Sequence, residues 1–243
     1  MRIIQGTASV NSRNEWFREA GVGYGRWVGW ITGLFFVALA ASADDTPAGD
    51  STAHGVVHSA TTSVMQVVAE AQAYVDDDPE RYYQAIQDVL DPVVDFRGFA
   101  RGVMGPYATS ERYRSLDEAG RAQLREQLDR FTEVMRDGMV RTYGKGLLAF
   151  GGSRIELSDP GAEDKDASRV SVEQLIYSEN SEPYVVMYQM GRGRDGEWKL
   201  RNMIIESVNL GEIYRSQFES AARKENGDLN AVIENWSAIE VEG

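Results

Sequence analysis

Residues 196–218, GEWKLRNMIIESVNLGEIYRSQF, constrain the fold more than any other stretch of the chain. The segment follows the turn Arg194-Asp195-Gly196 and carries Trp198, Leu200, Met203, Ile204, Ile205 and Val208, apolar on both faces. That is the pattern of a central strand covered on both sides. After Leu210 the apolar period lengthens from two to nearly four, with Ile213, Phe218 and Ala221 on one side, so the strand feeds directly into a helix. The core has to form where the two periods meet.

Upstream the period is helical. Over residues 53–74 the positions Val57, Val64, Val67, Val68 and Ala71 recur at helical spacing. Asp78-Pro79-Glu80 then supplies a cap, a first-turn proline and an acid suited to the helix dipole. The helix they open carries Tyr82, Tyr83, Ile86, Val89 and Leu90 and ends before Pro92. Asp95 is placed to cap a short third helix that buries Phe96, Phe99, Ala100 and Val103, closed by Gly105-Pro106. Ser115-Leu116-Asp117-Glu118 reads as a capping box. It opens the longest helix, striped by Leu124, Leu128, Phe131, Met135, Met139, Tyr143 and Leu147, with a bend marked at Gly138 and a stop at Gly151-Gly152.

Beyond that the period is two. Strands are expected over 154–158, 168–177, 184–190 and 197–210, with the last two joined through the hairpin GRGRDG, and helices over 211–224 and 228–236. Helices, a meander, then helices predict an α+β fold: a helical N-terminal half followed by a four-stranded antiparallel curved sheet wrapped by helices.

Arg26 precedes an apolar run, residues 27–40, that is short for a membrane span, and Ala41-Ser42-Ala43 follows as a small-x-small site. This reads as a cleaved signal peptide over 1–43, with the part before Val22 long enough to suggest that translation begins near Val22. Residues 44–53, DDTPAGDSTA, form a flexible lead-in. One domain over 54–238 and a tail over 239–243 complete the chain.

The formal charge is −13, and residues 1–43 hold four Arg against two Glu, which leaves −15 for the rest. A surface that negative repels phosphate backbones and anionic leaflets, which argues against nucleic acid and stable membrane insertion. The absence of Cys excludes disulfides, thiol catalysis and a lipidated N-terminal cysteine.

Catalytic patterns are sparse. His54 and His58 lie one helical turn apart, but no other His and no Cys can complete a metal set, and no metal or cofactor is expected. No G-x-S-x-G elbow, G-x-G-x-x-G turn or P-loop occurs. Asp95 and Glu206 are the acids most embedded in apolar sequence; the first reads as a helix cap, the second as a structural hydrogen bond or an ion pair with Arg101 or Arg215. What stands out is flexible and aromatic apolar side chains on inward stripes, among them Met135, Met139, Met187, Met203, Phe131, Tyr143 and Tyr188. Taken alone, such stripes are ordinary core.

The order Trp198-Lys199, a short apolar strand, Glu206-Ser207-Val208-Asn209-Leu210 and Tyr214-Arg215-Ser216-Gln217-Phe218 resembles the C-terminal signature of the MlaC/toluene-tolerance family of periplasmic phospholipid-transfer proteins. Leu90-Asp91-Pro92, Asp95-Phe96, Phe99-Ala100-Arg101, Val103-Met104-Gly105 and Tyr143-Gly144 extend the resemblance over residues 55–238. Ser207 stands where the family usually has Gly, and Asn209 where it usually has Ser.

The resemblance implies a non-enzymatic, monomeric periplasmic carrier with phospholipid as cargo. It would shuttle between an outer-membrane lipoprotein complex and an inner-membrane ABC transporter with a substrate-binding ring subunit. Exposing acyl chain costs about 0.8 kcal/mol per methylene, so two chains of about fifteen cost on the order of 24 kcal/mol in water. Such a carrier needs an apolar cavity between sheet and helices. The lining expected on this basis is Phe96, Phe99, Val103, Phe131, Met135, Met139, Val185, Met187, Ile204 and Val208, with Arg97, Arg101 and Arg215 placed to orient a headgroup or to pair with acids. Two other readings stay open: an exported isomerase or dehydratase on a cone-shaped α+β fold, and a periplasmic chaperone or adaptor with an exposed groove.

Overall fold

The computed structural model describes residues 52–150, 154–158, 167–177 and 182–236. The expected leader, nearly all of the lead-in, the Gly151-Gly152 stop and the tail lie outside these residues.

Three helices come first. α1 (Ala53–Ala71) is capped by Thr52, whose hydroxyl accepts from the Gly55 N–H. α2 (Pro79–Leu90) starts on Asp78, which accepts from the Arg81 N–H, with Pro79 in the first turn as the sequence predicts. α3 (Phe96–Met104) starts on Asp95, whose Oδ1 accepts from the Gly98 N–H at 3.0 Å. A 3-10 turn, Gly105–Ala108, and a short α4 (Ser110–Ser115) follow; neither is expected from periodicity.

α5 (Glu118–Phe150) is the longest element, and its helical hydrogen bonding continues through Gly138, where a bend was expected. The predicted capping box is also corrected. Ser115 ends α4 and its hydroxyl donates to the Arg112 carbonyl at 2.7 Å, so Asp117 takes over the cap by accepting from the Gly120 N–H at 2.8 Å. A capping box spans four residues from the cap to its N3 partner, and α4 has already used the first of them.

The sheet is an antiparallel meander of five strands in sequence order: β1 (Ile155–Leu157), β2 (Arg169–Ile176), β3 (Tyr184–Arg192), β4 (Trp198–Ile205) and β5 (Val208–Asn209). Four were expected. The fourth predicted strand breaks because Glu206 and Ser207 both take positive φ, 49° and 71°, and turn the chain back so that Ile205 pairs with Val208. Two left-handed residues in a two-residue turn match the twist of the flanking strands. Asn209 then caps α6 (Leu210–Lys224), and Asp228 accepts from the Asn230 and Ala231 N–H groups at the start of α7 (Leu229–Trp236).

A bulge in β4 sets the position of α3. Gln189 pairs with Asn202 but Met190 pairs with Leu200, leaving Arg201 as the extra residue. The Arg201 side chain lies over Gly191, where an added Cβ would come within 2.9 Å of it. Arg201 also forms an ion pair with Asp95. Beside it, Leu200 exchanges backbone hydrogen bonds with Val93 and Asp95, so the linker into α3 covers the half of β4 that the short β5 leaves open.

The helices pack through an aromatic centre. Phe131 of α5 is fully buried and sits edge-to-face on Phe218 of α6 at 4.9 Å and on Trp236 of α7 at 5.0 Å. α2 is held against α5 by the Tyr82 hydroxyl, which donates to the Gly144 carbonyl at 2.8 Å, and by Arg141, which reaches both oxygens of Glu80 and also Asp137.

Candidate functional site

β-strand alternation sorts the sheet into two faces. Register places Val170, Val172, Gln174 and Ile176 of β2 beside Tyr184, Val186, Tyr188 and Met190 of β3, and these beside Leu200, Met203 and Ile205 of β4. α1 lies on this inner face, where the Gln174 amide donates to Thr61 of α1 at 3.0 Å and Gln174 accepts from the Tyr188 hydroxyl at 2.7 Å. Gln174 is only 2% exposed, so both of its bonds are made away from water.

The buried side chains fall into three apolar clusters. One joins α3, α5, α6 and α7 around Phe131, Met135 and Phe218. A second joins the start of α1 to the sheet through Val57, Val172, Met190 and Trp198. The third joins the end of α1 to α2 and α5 through Val68, Tyr82, Ile86 and Val140. Each of three elements bridges two clusters: the sheet the first and second, α1 the second and third, α5 the first and third. The edges of these clusters form a border of partly buried side chains that includes Met139, Tyr143, Met203 and Ile205 on the first cluster, Tyr188 and Leu200 on the second, and Val64 and Leu147 on the third. All eight are half-buried. Tyr188 and Met203 are cross-strand partners, while Met139, Tyr143 and Leu147 follow one another at helical i, i+4 spacing, so the border is continuous on the sheet and on α5.

Polar groups on this border are paired. The Tyr143 and Tyr214 hydroxyls lie 3.4 Å apart, and burial pushes both phenols up; the hydrogen bond with Tyr143 partly offsets the rise at Tyr214. Burial likewise raises Tyr188, and raises Tyr82 beside its neighbours Tyr83 and Tyr74. These phenols stay protonated, leaving this border without a formal charge from tyrosine.

The ten residues expected to line a cavity do not share one surface. Met139 is half-buried at the edge of the first cluster. Phe96, Phe99, Val103, Phe131 and Met135 are buried within the helices, at 7%, 8%, 1%, 0% and 1% exposure. Val185, Met187 and Ile204 are half-buried on the opposite face of the sheet, because their parity is that of Gln189 and Asn202 rather than of Tyr188. Val208 sits just after the β4–β5 turn and is 45% exposed. Tyr188, Met203 and Ile205 take the inner positions instead. Strand β3 is apolar at both parities, so only its pairing with β2 and the contact with α1 tell the faces apart.

The acids singled out in the sequence have structural partners. Asp95 caps α3 and pairs with Arg201. Glu206 Oε1 accepts from the Val185 N–H at 2.6 Å, with neither Arg101 nor Arg215 involved. Arg215 donates to the Gly102 carbonyl and Arg97 pairs with Asp129 at 3.0 Å. Among the described residues no group of three His, Cys, Asp or Glu converges on a metal-sized site, and no helix is long and apolar enough to cross a membrane.

The architecture has relatives. Residues 58–238 match the family described as MlaC protein. The toluene tolerance protein ttg2D of Pseudomonas putida is 30% identical over 186 residues, which cover 76% of this chain and 80% of that protein. The fold is similar to that of a phospholipid-binding protein from Ralstonia solanacearum solved in complex with a phospholipid, with a TM-score of 0.60 and 18% identity over 74% of this chain and 91% of that one. With the family's match spanning most of its length, the chain belongs to the MlaC family.

Proposed function

We propose that this protein is a periplasmic phospholipid carrier that holds acyl chains in the region enclosed by α1, α5 and the inner face of the sheet. The observation that carries this reading is that Met139, Tyr143, Met203, Ile205, Tyr188, Leu200, Val64 and Leu147 point inward yet remain half-buried. A self-sufficient core closes such side chains completely, at a gain of about 25 cal/mol per Å². Here three clusters stop short of one another, and an acyl chain supplies the missing apolar contact. Flexible Met139 and Met203 suit chains of varied length. With the Tyr143 and Tyr188 hydroxyls already hydrogen-bonded, neither presents lipid tails with an unsatisfied donor.

The phospholipid seen with the Ralstonia solanacearum protein supports the choice of cargo. The same reading has the protein shuttle lipid between an outer-membrane lipoprotein complex and the ring subunit of an inner-membrane ABC transporter, maintaining outer-membrane lipid asymmetry. Its formal charge of −13 disfavours adsorption to anionic leaflets, leaving docking to protein partners. The isomerase reading is weakened because Asp95 and Glu206 are both engaged in structure.

Native mass spectrometry of the protein purified from its own periplasm tests the proposal. A bound phospholipid is expected. Protein that arrives without lipid and takes up none from labelled phospholipid vesicles would overturn it.

A further inference from the structure

A cleft of about 590 Å³ opens between α3, α4 and the first half of α5. Its floor is apolar, from Ala108, Tyr113, Leu124 and Leu128, and its rim carries Arg97, Arg101, Arg114 and Arg125 with Asp95 as the one acid. In a chain of charge −13, four arginines around one concavity are a concentration of the minority charge. Asp95 is neutralised by Arg201. Arg97 and Arg114 hold exposed ion pairs with Asp129 and Glu111, which are weak and readily exchanged. Arg101 and Arg125 have no acidic partner among the described residues; Arg125 instead donates to the Tyr113 hydroxyl at 2.6 Å and lies over that ring.

We infer that this cleft docks an acidic segment of a partner protein, one that sets an apolar side chain on Leu124 and Leu128 while its carboxylates meet Arg101 and Arg125. Guanidinium groups suit carboxylates because they offer paired donors in a plane. The shape decides against a membrane: a flat bilayer cannot enter a concavity, and the remaining surface repels an anionic leaflet. A lone phosphate would leave the apolar floor wet. A single chain that combines acids with an apolar anchor satisfies both halves of the site. The inference does not depend on what the interior carries.

The test uses the full-length exported protein with a fluorescent Glu-rich peptide carrying one Phe, its Lys-for-Glu counterpart, and phosphatidylglycerol vesicles. The acidic peptide alone is expected to bind, about tenfold more weakly in high salt than in low as the charges are screened. The double change Arg101→Glu with Arg125→Glu should weaken it by at least about tenfold, the loss of a close charge pair. Should charge reversal unfold the protein, Arg101→Gln with Arg125→Gln reads the same loss, with circular dichroism and thermal melting as controls of fold. Equal binding of the two peptides, binding of neither, undiminished binding by a folded variant, or vesicle binding that Arg101 and Arg125 support would each overturn the inference. Lipid content is read separately by mass spectrometry, so failure here is distinguishable from failure of the carrier reading.

Discussion

Replacing Ser207 by Gly should stabilise the protein. Ser207 is exposed, sits in the two-residue turn between β4 and β5, and has φ 71°. A left-handed backbone costs a residue with a Cβ about 1–2 kcal/mol, and Gly escapes that cost. Gly also gives the unfolded chain more freedom, which takes back about 0.5–1 kcal/mol. The net gain is about 0.5–1 kcal/mol, because the Ser207 side chain makes no hydrogen bond among the described residues that would be lost. For a domain of this size about 1 kcal/mol moves Tm by about 2–4 °C, so a rise of about 1–4 °C is expected. Urea unfolding and calorimetry on the two proteins measure it directly. The neighbouring change Glu206→Gly supplies the contrast: it relieves φ 49° but removes the carboxylate that holds the Val185 N–H at 2.6 Å. A hydrogen bond to a charged group contributes about 1.5–3 kcal/mol, so this second glycine should destabilise by about 1 kcal/mol. If Ser207→Gly lowers Tm, or if both glycines raise it equally, the account of this turn is wrong.

Other consequences follow from the same geometry. Met139→Asp or Met203→Asp should strip co-purifying lipid, since keeping Asp neutral at pH 7 costs about 4 kcal/mol, whereas Met187→Asp on the far face should leave lipid in place; mass spectrometry of the three variants decides, and loss of lipid from the last alone would invert the assignment of faces. Phe131→Ala removes the ring between Phe218 and Trp236 and should cost about 3–5 kcal/mol in urea unfolding. Asp95→Ala loses a cap and an ion pair with Arg201, for a destabilisation of about 1–2 kcal/mol by the same measurement. Tyr82, Tyr143 and Tyr188 are raised in the folded state by burial. Their protonation therefore favours the fold: the contribution is complete below the unfolded phenol pKa of about 10 and is lost as pH climbs above it. Phenolate absorbance should show part of the eleven tyrosines titrating only as the protein unfolds, and full titration in the native state would refute their burial.

Much of the fold is local and so was legible in advance. Asp78-Pro79 and Asp95 open α2 and α3 where their side chains predict, since a cap acts within three residues of itself. The strand-to-helix switch falls at Leu210 as the change of period requires. Even the family departure at Ser207 marks a real feature, a positive φ at a position where glycine is the residue of least strain. The capping box failed for a reason equally local, α4 having consumed Ser115.

The face of the sheet is another matter. Period suffices for the α+β class, and the ordered motifs between Leu90 and Phe218 for the family resemblance, because each rests on neighbours along the chain. Which side of β3 meets α1, that three clusters leave half-buried rims between them, and that four arginines from α3, α4 and α5 surround one cleft were decided by tertiary contact alone. A strand apolar at both parities offers no preferred side, and side chains that meet from separate elements leave no periodic trace in sequence.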